Sequence, residues 1–280
     1  MKFPFILLVL LFSASCEKED NTPPPPPPPP PEVEFMRGAD PGKQFTPAAW
    51  EGLTLATIRD SVYNYMKQVI SVIQPEYVSL GNEINGGILW ETGRIENGNN
   101  LFQLLGKASQ ATREASPSTK IMIHYAGLDG SNWFFSQMQS YNIIYDIIGI
   151  SYYPFWHGKN LNTMKTVINN LAIEFDKPVL IAETSYPFTL GWNDNTHNAI
   201  GLEEQLIPEY PATPGGQMEF MADLKEMLLT IDDNCAGFCY WGAEFVAFKG
   251  PDALDGSSWE NQALFDFDNM ALPALKVFHN

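Results

Sequence analysis

The sequence predicts an α/β protein of the (β/α)8 barrel type, and three observations carry that prediction. Short apolar, β-rich runs alternate with amphipathic stretches of helical period along the body of the chain. Side chains capable of chemistry gather at the carboxyl ends of those runs, and no glycine-rich phosphate loop follows the first of them. Continuous apolar strands between amphipathic helices describe a parallel sheet covered on both faces. A barrel carries its functional residues at the C-terminal ends of its strands, whereas a nucleotide-binding doubly wound sheet needs the glycine fingerprint that is missing here.

The elements follow in order. Leu55, Ile58, Val62, Tyr65, Met66, Val69 and Ile73 recur at intervals of three and four, which predicts a helix over 53–74. The run YVSLGNE (77–83) is the first countable strand. A helix at about 100–115, a strand KIMIHYAG (120–127), a short helix at 131–140 and a strand IIGISYYP (147–154) continue the alternation. A helix at about 160–175 leads to the strand PVLIAETSYP (178–187), a long loop, the helix QMEFMADLKEMLLTI (217–231) and the strand AGFCYWGAEF (236–245). Five strands are countable.

The first residues are not part of this pattern. MKFPFILLVLLFSASC has one Lys, a short apolar segment and small residues before Cys16, the layout of an export signal and too short to span a membrane. Its end resembles a bacterial lipobox, which makes Cys16 the lipidated residue and 1–16 the signal; an ordinary secretory signal with an incidental Cys is the other reading. The acidic cluster EKED, similar to the surface-export signals of bacterial lipoproteins, and nine consecutive prolines, Pro23 to Pro31, make 17–31 a stiff polyproline II stalk. The expected localisation is the outer membrane at the cell surface, with the membrane reached only through the lipid. Residues 32–280 form the barrel domain.

Thirty-three acidic against sixteen basic side chains, a formal charge of −17, repel nucleic acid and anionic membrane and suit a neutral partner such as a sugar. Cys235 and Cys239, four apart in a strand-like run, lie too far apart along an extended chain to bridge, and no CxxC or HExxH spacing supports zinc chemistry.

Glu83 and Glu183 each end an apolar strand, where partial desolvation favours a perturbed carboxyl group. Glycoside hydrolysis with retention needs such a pair, one protonated to assist the leaving group and one ionised to attack the anomeric carbon. A single such Glu is more often an ion-pair partner or a helix cap, but two in matching context favour catalysis.

SLGNEINGGILW and LIAETSYP resemble the acid/base and nucleophile strands of glycoside hydrolase family 53, the endo-β-1,4-galactanases. DPGKQFTPAAW, HYAG with the later Trp133, GISYYPFWHG and NQALFDFDNMALPALKVF look like further segments of that family in the right order. The resemblance implies Glu83 as general acid/base, Glu183 as nucleophile, Asn82 beside the sugar, Tyr152 or Tyr153 near the nucleophile, and Trp90, Trp156 and Trp241 as stacking platforms. His124 has two readings, a substrate or glutamate contact and a satisfied core residue. Galactan is the implied partner, and no cofactor is required for catalysis.

The family's calcium pattern is Asp-x-Asp-x-His-x-Asn with a later Ser-x-x-Asp. This chain has Asn193, Asn195, His197 and Ala199, then Ser257 and Glu260. Charge that calcium wants is removed while oxygen ligands remain, so a structural calcium and an uncalcified polar loop stand side by side.

The resemblance also implies an incomplete barrel. FMRGADPGKQFTP joins a first-strand GAD, Gly38 to Asp40, directly to the PGKQ expected after strand three. About three βα steps of ~30 residues each are absent, with strands two and three among them. Open sheet edges are then expected, and with them lower stability unless the chain repacks or dimerises. Two further readings of function stand beside the galactanase. One is a non-catalytic galactan-binding surface lipoprotein, and the other is a clan relative acting on another β-1,4-glycan.

Overall fold

The computed structural model describes residues 44–231 and 235–279, together with the backbone of Ser13 and Ala14. Cys16, the stalk over 17–31 and the GAD junction at Gly38 to Asp40 lie outside the described residues, as does whatever strand precedes Gln44.

The chain divides into two compact units. Among the described residues, the first holds 44–151 and 171–179, and the second holds 152–170 and 180–279 with Ser13 and Ala14.

In the first unit, helix α1 (Leu55–Ile73) starts where the Thr54 hydroxyl accepts the Thr57 N–H and stops at Gln74 in the left-handed conformation. Its buried residues Ile58, Val62 and Ile70 form one stripe along the helix, and α1 packs against α2 (Asn100–Ala115). Strands β2 (Tyr77–Ser79), β3 (Lys120–Ala126) and β4 (Ile147–Ser151) pair in parallel, with Tyr77 opposite Lys120 and Met122 opposite Ile147. All five residues of β4 are buried, as a strand covered on both faces requires. Asp146 pins the start of this sheet: its carboxylate accepts the Ile121 N–H at 2.7 Å and pairs with Arg113 of α2. Between β3 and β4, α3 (Ser131–Ser140) supplies Phe134 and Phe135, which pack with Tyr145 and Phe175 at centroid separations of 5.6 to 6.1 Å.

In the second unit the one-turn helix α4 (Pro154–His157) opens with a proline at its first position. Helix α5 (Leu161–Phe175) and strand β5 (Val179–Thr184) each run across the division between the units. Within this unit the Tyr152 N–H donates to the Glu183 carbonyl and the Trp241 N–H to the Thr184 carbonyl, both at 2.8 Å. Strand β6 (Cys235–Tyr240) lies antiparallel to the two-residue β1 (Ser13–Ala14). Helix α6 (Pro214–Leu229) begins three residues before the sequence expectation, because the Thr213 hydroxyl caps it and Pro214 suits its first position; the following Gly-Gly reads as a turn but is helical. Lys225 of α6 donates to the Val277 carbonyl at 2.8 Å and ties the C-terminal turns to this helix.

The strands are shorter than their apolar runs, which changes how the site residues are carried. Glu83, Tyr152, Tyr153 and Trp241 stand just beyond strand ends, on the turns that follow. Glu183 alone of the expected set of acids is held within a strand.

Phe135 is fully buried among four aromatic rings. Phe135→Ala is expected to cost about 3–5 kcal/mol, seen as a lower urea midpoint for the first unit's far-UV signal; an unchanged midpoint would show that this cluster does not hold the unit together.

Candidate active site

In the first unit the chain leaves β2 through Leu80 and Gly81. A side chain at Gly81 would meet the Ile84 methyl at 2.5 Å, and its φ of 99° suits glycine, so the turn toward Glu83 is sterically reserved. Glu83 itself has φ 47°, a left-handed conformation uncommon for a residue with a side chain and one that collects at functional sites. Asn82 is half-buried, and its carbonyl accepts from the Gln44 amide at 2.7 Å, which anchors Gln44 beside the acid. Asn85 closes the same turn onto β3 with two bonds, its amide donating to the Ala126 carbonyl and accepting the Ala126 N–H at 2.8 and 2.7 Å.

Burial pushes the Glu83 carboxyl above the usual glutamate range, and a hydrogen bond from Ser151 pulls the other way. The Ser151 hydroxyl also lies 2.8 Å from His124 Nε2. His124 is buried, and burial pushes it down to about 3, so the imidazole is neutral at ordinary pH. A serine hydroxyl has one proton to give. With that proton donated to Glu83, Ser151 accepts from His124 Nε2–H, and the three form a chain from imidazole to hydroxyl to carboxyl. Trp90 is half-buried here, with the Arg94 guanidinium 4.2 Å over its ring and the Phe45 edge at 6.1 Å, so one indole face is already covered.

In the second unit Glu183 is 8% exposed, and its Oε2 accepts from the Tyr153 hydroxyl at 3.0 Å. Tyr153 gathers two tryptophans: Trp156 at 5.7 Å and Trp259 at 5.4 Å, with 5.9 Å between the two indoles. Trp156 is exposed and Trp259 half-buried. Tyr152 is fully buried and donates to the Gly158 carbonyl at 2.7 Å, a packing role that supports the turn below Tyr153. Trp241 is half-buried with its edge on Phe245 at 5.8 Å. Beneath these, Tyr240 and Gln217 tie Tyr186 and the 262–263 backbone into one buried knot, with the Tyr240 hydroxyl donating to the Gln262 carbonyl at 2.7 Å and the Gln217 amide to Tyr186, Ala263 and Tyr240.

Of the five expected calcium ligands, Glu260 is buried, Asn193 and Ser257 are half-buried, and Asn195 and His197 are exposed, the His197 ring lying edge-on to Trp192 at 4.6 Å. The side chain buried with Glu260 is Asp194, one position along. Glu260 Oε1 accepts the N–H groups of Asn193 and Asp194 at 2.7 and 3.4 Å, while Glu260 Oε2 and Asp194 Oδ2 are buried without a hydrogen-bond partner. Burial pushes the Glu260 carboxyl up; the two backbone N–H groups pull it down, and the neighbouring Asp194 charge adds to the rise. Two buried carboxylate oxygens without donors fit a hard, oxygen-seeking cation. Such an ion would tie the 193–196 loop to Glu260 and supply no catalytic chemistry.

Sequence reasoning did not single out Ser151, Asn85, Trp259 or Gln262. Ser151, Asn85 and Gln262 lie inside GISYYPFWHG, SLGNEINGGILW and NQALFDFDNMALPALKVF, and Trp259 between Ser257 and Glu260, each beside residues with a more conspicuous chemistry.

Strand-end glutamates held by hydroxyl groups and flanked by tryptophans, on parallel βα units, define a glycosidase of the (β/α)8 barrel class. The profile of glycosyl hydrolase family 53 matches residues 37–278. The chain belongs to that family. An arabinogalactan endo-β-1,4-galactanase of Cellvibrio japonicus is 33% identical over 85% of this chain and 68% of its own length, and an endo-β-1,4-galactanase of Bacillus subtilis is 30% identical over 86% and 64%. Among solved structures, the GH53 catalytic domain of Ignisphaera aggregans superposes with a TM-score of 0.80 at 36% identity, over 86% of this chain and 70% of that one. GH10 from Paenibacillus barcinonensis, at 15% identity and a TM-score of 0.57, covers 84% and 71% and shares the fold alone. The fold is a partial (β/α)8 barrel: five βα strands stand among the described residues where eight close a barrel.

Ser151→Ala removes the donor that favours ionised Glu83. The Glu83 carboxyl is then expected to titrate higher than in the unmodified chain, as followed by 13C NMR of labelled glutamate; a midpoint that stays or falls would show that Ser151 does not act on it.

Proposed function

We propose that this chain is an exported, endo-acting retaining glycosidase that cleaves the β-1,4-galactan side chains of pectin, with Glu83 as general acid/base and Glu183 as nucleophile. The observation that carries the assignment is the buried strand-end carboxyl of Glu83, held above the usual glutamate range. Burial disfavours charge on Glu83, which suits the residue that must hold a proton for the leaving oxygen. Glu183 accepts a hydrogen bond from the Tyr153 phenol, which fixes the orientation of the carboxyl group that serves as nucleophile. In the first step the C–O bond breaks as Glu83 gives its proton to the departing sugar and Glu183 forms the glycosyl ester. In the second, Glu83 takes a proton from water, which releases Glu183 and restores the original anomeric configuration. The galactanase names of the relatives support the substrate.

The test is reducing-end release from galactan by the purified 32–280 chain, with product anomers read by NMR. Release of β-anomeric ends is expected, with Glu83→Ala about 10²–10⁴-fold slower and Glu183→Ala inactive. Azide added to Glu183→Ala should restore turnover as an α-galactosyl azide. Binding of galactan without release would favour the second reading, a capture lipoprotein, to which the shortened barrel lends weight. Release of α-anomeric ends would overturn the retaining assignment.

We also propose that Cys16 carries the lipid and that the prolines hold the barrel off the outer membrane at the cell surface. No helix among the described residues is long and apolar enough to cross a membrane.

A structural cation at Glu260 and Asp194 completes the proposal. Because Glu260 titrates high, the carboxylate that binds the ion is present above its raised pKa and lost as pH falls through it. Calcium is expected to raise the thermal midpoint of the chain at neutral pH, EDTA to reverse this, and acid pH or Glu260→Gln to abolish it. A midpoint indifferent to calcium and EDTA at neutral pH would assign the loop to the uncalcified reading.

A further inference from the structure

A helix of one turn is marginal, because ordering its residues costs more than its first hydrogen bond returns. Helix α4 is that short, and its first residue is the proline that follows Tyr153. Two bonds running in opposite directions between Tyr153 and His157 close it. The His157 N–H donates to the Tyr153 carbonyl at 2.9 Å, and the Tyr153 N–H donates to the imidazole Nδ1 at 3.0 Å. In the second bond a side chain of the helix returns to the N–H of the residue before it, as the Glu of a capping box does.

A backbone N–H can only donate, so Nδ1 offers its lone pair and the ring proton sits on Nε2. His157 is half-buried, with its ring 6.0 Å from that of Tyr153. Pro154 restricts the same backbone from the other side: the residue before a proline is held extended, and Tyr153 has φ −121° and ψ 117°. One position earlier, Tyr152 donates to the Gly158 carbonyl at 2.7 Å, so residues 157 and 158 both reach back to 152 and 153.

This anchoring matters because of what Tyr153 carries. Strand β4 ends at Ser151, and two residues on the Tyr153 phenol donates to Glu183 Oε2 at 3.0 Å. The hydroxyl stands at the far end of the ring, where a small turn of the backbone becomes a large displacement, and a hydrogen bond weakens steeply as its angle opens.

We propose that His157 is a positioning residue of the active site, whose imidazole holds the Tyr153 backbone so that the phenol meets Glu183. The proposal rests on the reading of Glu183 as nucleophile and adds a residue that acts on it through Tyr153.

Two opposite replacements test it. His157→Asn keeps an acceptor as many bonds from Cβ as Nδ1 and gives up the ring; His157→Phe keeps a ring and gives up the acceptor. On galactan, His157→Phe should lower kcat about ten-fold with KM near that of the unmodified chain, the rate equivalent of ~1.4 kcal/mol from one hydrogen bond. His157→Asn should recover most of that loss. Added to Tyr153→Phe, which has no phenol left to aim, His157→Phe should cost little more. The Tyr153 13Cζ resonance, identified by its loss in Tyr153→Phe, reports the phenol's hydrogen bond without substrate; it should move in His157→Phe and stay in His157→Asn. If His157→Phe does not fold, His157→Ala, which also lacks the acceptor, takes its place. Equal kcat and an equal resonance in the two variants, or the full further loss on the Tyr153→Phe background, would overturn the proposal and leave His157 to packing. An unmodified chain that releases nothing from galactan would sink the galactanase reading alone, and the resonance would then decide whether His157 aims Tyr153.

Discussion

A carboxylate at the end of a buried strand must find donors or give up its charge, and much of this structure follows from that constraint. Isolated ions are too costly to bury, so each acid here is met by a particular answer. Glu83 has Ser151, backed by a neutral His124, and its titration is nonetheless pushed up. Glu183 has the Tyr153 phenol, Glu260 has two backbone N–H groups, and Asp194 has the Thr196 N–H at 2.6 Å. Asp146, at the opposite end of β4 from Ser151, has Arg113 and a backbone N–H, and it titrates low. Only this last acid has a cation beside it, and it is the one whose role is to hold the sheet. The acids near the strands' carboxyl ends are met by neutral donors instead, which steady a carboxyl group without fixing its charge.

Neutral donors need rigid carriers, and the buried polar knot of the second unit supplies one. Tyr240 reaches from the end of β6 to the Gln262 carbonyl, and Gln217 of α6 bonds the carbonyls of Tyr186 and Ala263. These bonds fasten the turn after β5, which follows Glu183, to the segment that carries Trp259 and Gln262. The first unit uses a shorter device: the Asn85 amide pairs with Ala126 as another strand would and locks the Glu83 turn to β3. In both cases a side chain extends backbone pairing past the point where the strand itself ends.

Most of the fold was legible because its signal is periodic. The helical period of α1 and the unbroken apolar run of β4 are statements about faces; β4 is buried throughout, while in α1 burial falls on Ile58, Val62 and Ile70 and leaves Tyr65 and Ile73 of the expected stripe exposed. Strand ends were less legible. YVSLGNE reads as one extended run, yet pairing stops at Ser79 and the backbone turns left-handed at Glu83, because the Gly81 turn competes locally with the ladder. The two glutamates stood out because acids are rare in apolar runs. Ser151 did not, since a small hydroxyl inside GISYYP looks like strand filler until its neighbours across the sheet are known. The acidic loop shows the same limit at finer grain. Its pattern pointed to Asn193 and Asn195, while the side chain turned inward is Asp194, and a one-residue difference in which side faces in is set by contacts with the distant 253–256 segment, where the Ala253 carbonyl takes the Asn195 N–H and the Gly256 N–H meets the Thr196 hydroxyl.

The absent βα steps bear differently on closure and on chemistry. Closing a barrel needs every strand, because each supplies hydrogen bonds to two neighbours and a share of the interior layers. Tuning a carboxyl group needs only the few atoms that touch it. The hydroxyl donors come from elements this chain retains, Ser151 from β4 and Tyr153 from the turn after it, while Asn85 and Gln44 hold the Glu83 turn through backbone groups and His124 backs Ser151. Among the described residues, Ser151 and Tyr153, the hydroxyl donors to Glu83 and Glu183, come from neither strand two nor strand three of a full barrel. What those strands would add is the polar side chains of their own carboxyl ends, which bear on how firmly sugar is gripped. A shortened barrel of this kind therefore loses substrate affinity and stability before it loses the protonation states on which glycosidic cleavage depends.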